Sequence, residues 1–157
     1  MLLLLDIDGV MVVGNSWKRP EFLSDGFPEF SNRAKIALQK LISETNADIL
    51  LTTSHKANYS IKQWKEIFYL RGISTNNIYS LPENKTFLIR KEEIMNWIDS
   101  GNQLKEFLIL DDDKSLNSLP IFIKQKLIQT NSSVGLTLDL VDESLASIKS
   151  KKAVFAQ

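Results

Sequence analysis

Three short groups of polar residues in this chain carry side chains suited to acid–base and phosphate chemistry. They are Asp6-Ile7-Asp8-Gly9, Thr52-Thr53-Ser54 and Asp111-Asp112-Asp113, and each follows an apolar run. Alternate residues of an extended segment point the same way, so the first two aspartates share one side and can flank a single substrate atom. The glycine behind them allows the chain to turn sharply.

The elements that must position these groups are strands that alternate with helices. Continuous apolar runs at 2–5, 49–51, 78–81, 107–110 and 127–128 are typical of strands covered on both faces. Apolar residues recur at helical spacing between them, at Ala34, Ala37, Leu38, Leu41 and Ile42, at Ile61, Trp64, Ile67 and Phe68, and at Ile94, Trp97 and Ile98. The pattern predicts an α/β fold, a three-layer Rossmann-like sandwich with a central, mainly parallel sheet. Such sheets bind ligands beyond the carboxyl ends of their strands, where all three polar groups lie.

The carboxylates of the first and third groups would meet at this edge, and so much like charge requires a cation. The chain has no cysteine and one histidine. Oxygen ligands favour a hard ion, and Mg²⁺ is usual where a phosphate completes the coordination. A calcium loop is excluded because residues 10–13 supply no further oxygen ligands. We therefore expect Mg²⁺ and a phosphate ester, with Lys91 or, in competition, Lys85 neutralising phosphoryl oxygens.

Length and charge limit the other classes of function. The 157 residues suit one domain, expected over 1–157, and 19 basic against 19 acidic residues give no overall field for nucleic acid or membranes. The apolar start is too short for a signal peptide, and no run approaches the roughly 18 apolar residues of a membrane span, which favours a cytoplasmic protein. Residues 11–30 are expected to form a long loop or small hairpin, and 149–152 a frayed, solvated end.

The order and spacing of these groups resemble a known family. Asp6-Ile7-Asp8-Gly9-Val10, a strand followed by Thr52, then Lys91, then Leu110-Asp111-Asp112 resemble the four motifs of the haloacid dehalogenase-like (HAD) superfamily. More narrowly, Lys91-Glu92-Glu93-Ile94 with Trp97, the triple aspartate, and the stretch from Leu127-Ile128-Gln129-Thr130 through Gly135-Leu136-Thr137 are similar to small bacterial HAD domains found within multidomain RNA-repair proteins.

The resemblance implies a two-step phosphoryl transfer. Asp6 would attack phosphorus to form an aspartyl-phosphate, and Asp8 would protonate the leaving oxygen and later accept a proton from water. It implies that Mg²⁺ is held by Asp6, by the backbone carbonyl of Asp8 and by Asp112, with Asp111 or Asp113 acting through water. Thr52, or Thr53 if the strand runs one residue longer, would bind the phosphate together with Lys91. The acid at position 8 favours a phosphatase over a dehalogenase.

Phosphatases of this superfamily commonly gain selectivity from an inserted cap domain. The two gaps that could hold a cap are too short here and leave room for a flap only. The resemblance therefore implies an open site, suited to a phosphorylated macromolecule such as an oligonucleotide end or a phosphoprotein. No membrane partner is expected, and the oligomeric state is left open.

Several alternatives remain open at this point. A receiver-like or phosphate-binding signalling module without turnover also combines acids, a hydroxyl, a lysine and Mg²⁺, but receivers carry adjacent acids after the first strand. A degenerate interaction domain is disfavoured by the retained acids. His55 is interpreted as a surface or capping residue, with substrate contact as the alternative. Trp17-Lys18-Arg19 either binds a leaving group or nucleic acid, or packs in its loop.

Overall fold

The computed structural model describes residues 1–14 and 19–156, and its centre is a five-stranded, all-parallel sheet. The predicted α/β sandwich is confirmed, with every predicted apolar run in a strand. The strand order is 3-2-1-4-5, so β1 lies between β2 and β4. The strands are β1 (Leu2–Leu5), β2 (Asp48–Leu51), β3 (Ile78–Ser80), β4 (Phe107–Asp111) and β5 (Leu127–Gln129).

Helices connect the strands and cover both faces of the sheet. Three of them begin where a side chain satisfies a free backbone amide: the hydroxyls of Ser31, Ser60 and Thr137 each accept from the amide of the third residue beyond. The helices are α1 (Asn32–Thr45), α2 (Ile61–Leu70), α3 (Arg90–Trp97), α4 (Ile121–Lys124) and α5 (Leu138–Phe155), and a π-helical segment, Ile98–Asn102, follows α3. No helix in the described ranges is both long and apolar enough to cross a membrane.

Strands β1, β2 and β4 are buried on both faces, as their continuous hydrophobicity predicts, whereas the edge strand β3 exposes Tyr79. Leu3 and Leu5 of β1 pack in one core with α1, α2 and α5, whereas Leu4 packs in a second core on the opposite face with α3 and α4. Both faces of β1 are therefore removed from water, and the strand is held rigidly at the centre of the sheet. This rigidity extends to the residues that follow its carboxyl end.

Two details differ from the sequence prediction. Ile61 is 37% exposed, because it is the first residue of α2 and lies beside the solvent-facing cap. Residues 149–152 do not fray but continue α5, with their side chains in solvent as predicted. The small hairpin, one of the two forms predicted for residues 11–30, is present as an antiparallel bridge between Phe22 and Pro28, and a tight turn in which the carbonyl of Ile7 accepts three successive amides leads into this stretch. Trp17 and Lys18 lie outside the described residues.

Candidate active site

The register of the sheet brings the three polar groups to the same level at one edge. Leu5 pairs with Leu51 of β2 and with Leu110 of β4. The next residues, Asp6, Thr52 and Asp111, therefore lie side by side, and the ladder continues through them: the amide of Asp6 donates to Leu110 O and that of Thr52 to Leu5 O, both at 3.0 Å. The side chains are positioned by sheet hydrogen bonds rather than by flexible loops.

Three carboxylates converge at this edge. Asp6 and Asp111 are buried, Asp112 is half-buried, and one oxygen from each lies within 4.8 Å of the others. Burial, followed by the nearby charge of Asp111, raises the pKa of Asp6 to about 8, and burial raises that of Asp111 to about 6. The cluster thus resists the ionised state unless positive charge enters it.

Gly9 allows Asp112 to approach the cluster. Its φ is +79°, in the left-handed region, and a Cβ placed on it would lie 2.1 Å from Asp112 Oδ2. Any other side chain would collide with this carboxylate and also strain the backbone. Thr130 holds the same turn from the other side, because its buried hydroxyl donates to Gly9 O at 2.7 Å.

The cation that faces the carboxylates is Arg90, the first residue of α3. Its Nε lies 3.1 Å from Asp111 Oδ2 and its Nη2 lies 3.5 Å from Asp6 Oδ1. Although these charges are close, Nε and Nη1 are buried and make no aligned hydrogen bond with the described residues. The carboxylate of Glu93 lies between two cations. Its Oε1 is 3.6 Å from Arg90 Nη1, and its Oε2 is 3.0 Å from Nζ of the buried Lys56. The Arg90 guanidinium is therefore held at the sheet edge by carboxylates on both sides, beside Asp6 and Asp111.

The hydroxyls after β2 have different environments. Both Thr52 and Thr53 are fully buried. Thr53 Oγ1 accepts from the amide of His55 at 3.3 Å, whereas Thr52 Oγ1 has no partner among the described residues. A buried hydroxyl without a partner is costly, so Thr52 fits a ligand oxygen better than Thr53 does.

The two candidate lysines are not brought to the carboxylates. Lys91 donates from Nζ to Ser118 Oγ at 3.0 Å. Lys85 is exposed in the loop between β3 and α3, and within the described ranges it forms no ion pair. The structure thus places Arg90 where the sequence suggested its neighbour Lys91.

Asp8 lies apart from the buried cluster. Its side chain is 59% exposed, and Oδ2 lies 2.8 Å from Nε2 of His55. That the backbone carbonyl of Asp8 binds the metal ion stays a prediction. Asp113 has a local structural role, because its Oδ1 accepts from the amide of Ser115 at the start of a short 3₁₀ helix, Lys114–Ser118.

Residues 2–141 match the family model described as the HAD domain in Swiss Army Knife RNA repair proteins. The chain belongs to this family of HAD domains. No curated protein and no solved structure matches it significantly. Membership of the HAD superfamily indicates a hydrolase, generally a phosphatase, and confirms the family that the sequence motifs resembled.

The residues of this HAD domain fit a magnesium ion. Three carboxylates offer only hard oxygen ligands, as Mg²⁺ requires, and HAD-superfamily enzymes generally use this ion. Burial raises the pKa of both Asp6 and Asp111, and the charge of Asp111 raises that of Asp6 further; a divalent cation would favour the ionised form of both. Asp6, Asp111 and Asp112 would hold the ion.

Sequence reasoning assigned no role in the site to Arg90, Lys56 or Glu93. Arg90 and Lys91 flank the buried stripe of α3 on opposite sides, so helical spacing alone does not separate them. Which of the two faces the carboxylates depends on how the helix lies over the sheet. A signal for the Lys56–Glu93 pair was also absent, because the residues lie in different elements, 37 positions apart.

Proposed function

We propose that this HAD domain is a Mg²⁺-dependent phosphatase that acts through an aspartyl-phosphate at Asp6. The observation that carries the proposal is the juxtaposition of a cation-binding and an anion-binding group at one sheet edge. Three carboxylates lie next to a guanidinium with unaligned donors and next to the unpartnered hydroxyl of Thr52. A phosphate group with its metal ion satisfies both groups at once.

The residues divide the reaction between them. A carboxylate oxygen of Asp6 forms a bond to phosphorus while the bond from phosphorus to the leaving oxygen breaks. Arg90 and Thr52 hold the phosphoryl oxygens, and Asp8 gives its proton to the leaving oxygen. Asp8 then takes a proton from the water that releases phosphate from Asp6. Bound Mg²⁺ would favour the ionised, nucleophilic form of Asp6 and neutralise phosphoryl charge.

The exposed position of Asp8 supports a large substrate. Beyond the buried cluster, the loop between β3 and α3 is only residues 81–89, too short for a cap domain. We propose that the leaving group is a macromolecule, with an oligonucleotide end favoured over a phosphoprotein because the matching family model describes domains of RNA repair proteins.

A receiver-like module that keeps its phosphoryl group is the alternative. The strand order argues against it, since flavodoxin-like receivers have the order 2-1-3-4-5 whereas this sheet has 3-2-1-4-5. Turnover decides between the two: a phosphatase releases many equivalents of inorganic phosphate, whereas a receiver becomes labelled once.

The test is Mg²⁺-dependent phosphate release from an aryl phosphate, sugar phosphates, nucleotides, phosphopeptides, and 3′- and 5′-phosphorylated oligonucleotides. Wild type should turn over and Asp6→Asn should not, with oligonucleotide ends preferred. Arg90→Met and Lys91→Met form a matched pair, since each removes one positive charge from adjacent positions. We expect Arg90→Met to lose about 100-fold or more in kcat/KM and Lys91→Met to lose little. The reverse result would restore Lys91, and no release by wild type would refute the phosphatase.

A further inference from the structure

His55 makes a direct contact with the proposed acid. Nε2 of its ring lies 2.8 Å from Asp8 Oδ2, and this is the one side-chain partner that Asp8 has among the described residues. The Asp8 side chain is otherwise largely in solvent, 59% exposed. We propose that His55 is a positioning residue that holds the Asp8 carboxyl group towards the leaving group. This inference rests on the proposed function and deepens it.

The orientation of the His55 ring is itself fixed by the core. Its edge packs against the ring of Phe27, with centroids 5.6 Å apart and planes at 87°. Phe27 is 2% exposed and makes similar edge contacts with Tyr59 and Trp64. On the other side, the backbone amide of His55 donates to Thr53 Oγ1. A ring packed in this way loses little further entropy when it donates a hydrogen bond.

The loop that carries Phe27 is also anchored. The Arg71 side chain is fully buried, and its Nη2 donates to Phe27 O and Pro28 O, each at 2.8 Å. Nη1 of Arg71 pairs with Asp25 at 2.6 Å. The position of the His55 ring therefore depends on packing that extends from the sheet edge to the end of α2.

A hydrogen bond to one oxygen determines how the acid can act. When the His55 N–H donates to Oδ2, that oxygen is occupied, and the transferable proton of Asp8 belongs on Oδ1. This proton passes to the leaving oxygen as its bond to phosphorus breaks, and Asp8 is left as a carboxylate. Without His55, an exposed carboxyl group rotates freely, and a smaller fraction of molecules has the reactive orientation.

The contact can be tested without any activity. The chain contains a single histidine, so the ring ¹⁵N resonances of its NMR spectrum need no assignment. At one alkaline pH, we expect Asp8→Ala to shift the Nε2 resonance, whereas Asp112→Ala, a change in the neighbouring cluster, leaves it close to its wild-type position. Identical ring spectra for wild type and Asp8→Ala would overturn the proposal.

Kinetics test the consequence for the acid. His55→Leu removes the donor but keeps an apolar contact for Phe27, and His55→Gln replaces the donor with an amide nitrogen. We expect His55→Leu to lower kcat about tenfold on an alkyl phosphate, whose leaving group needs a proton, and much less on an activated aryl phosphate. KM should change little, and His55→Gln should recover most of the loss. In an Asp8→Asn background, His55→Leu should add no further loss.

The outcomes separate the two proposals. Equal losses on both esters, without recovery in His55→Gln, would assign His55 a structural role and overturn its positioning role while the phosphatase stands. Absence of phosphate release by wild type would refute the phosphatase, and the NMR comparison would then decide whether the His55–Asp8 contact exists.

Discussion

Replacement of Asp6 by asparagine should stabilise the fold when no metal is bound, although it removes the proposed nucleophile. Asp6 is buried, and its nearest charged neighbours include Asp111 and Asp112 as well as Arg90. Asparagine has nearly the same shape but no charge, and it can donate a hydrogen bond to a neighbouring carboxylate. The Asp6 carboxylate therefore lowers the stability of the metal-free fold, although the proposed function requires it.

The pH dependence follows from the direction of the pKa shift. The pKa of Asp6 is raised from 3.8 to about 8, so the folded chain holds a proton that the unfolded chain has released. The stability from this group is complete below pH 3.8 and is lost as the pH rises towards 8. Between pH 5 and 7 the free energy of unfolding therefore falls by close to 1.4 kcal/mol per pH unit, a loss of about 3 kcal/mol.

Urea unfolding in EDTA at pH 5, 6 and 7 measures this effect. The free energy of unfolding of Asp6→Asn relative to wild type should rise across the range by about 1–3 kcal/mol. The matched control is Asp99→Asn, the same change at an exposed carboxylate that forms no ion pair among the described residues, so its difference from wild type reports the effect of the substitution alone. Saturating Mg²⁺ should stabilise wild type more than Asp6→Asn. A pH-independent difference between Asp6→Asn and wild type would refute the buried, repulsive cluster.

Three further predictions follow from other contacts. Gly9→Ala should lower the free energy of unfolding in urea by about 1–3 kcal/mol and weaken Mg²⁺ binding measured by calorimetry. The reason is that the alanine methyl group collides with Asp112 and that φ is left-handed at this position. An unchanged stability together with an unchanged Mg²⁺ affinity would contradict the prediction. Arg71→Met should cost about 2–4 kcal/mol, since it leaves buried carbonyls and Asp25 unpaired, and a loss below 1 kcal/mol would show that the loop relaxes. The pKa of Asp25 is lowered by its hydrogen bond to Arg71, so wild type should lose this stability as the pH falls below 4, and Arg71→Met should lack that loss.

Strand positions and helix faces are local properties, and the sequence was sufficient to predict them. The central strands β1, β2 and β4 are mainly apolar because both their faces are covered, and the buried residues of α1 are the five that helical spacing selects. The sequence predicted a frayed end at 149–152 because this stretch is polar, and in the structure its side chains are exposed. The helix α5 continues there through backbone hydrogen bonds, which leave no apolar pattern in the sequence.

The candidate site also has a part that the sequence predicts and a part that it does not. Convergence of Asp6, Thr52 and Asp111 follows from strand ends in a parallel sheet, so residue types and order predict it. Arg90, the Lys56–Glu93 pair and the partner of Asp8 depend instead on how helices and loops lie over that edge. These are tertiary distances of a few ångströms, and no spacing in the sequence encodes them.

The two carboxylates of the first motif occupy opposite environments, and this contrast fits their proposed roles. Asp6 is anchored by the sheet and buried, and Arg90 lies beside it. Asp8 is exposed, which suits the proposed acid for a large leaving group, and its carboxylate contacts His55, whose ring packs against Phe27. The position of Asp6 is thus fixed by backbone hydrogen bonds of the sheet, whereas the Asp8 side chain has one side-chain contact, with His55, among the described residues. Substitutions of His55 should therefore impair proton donation while leaving nucleophilic attack and metal binding largely intact.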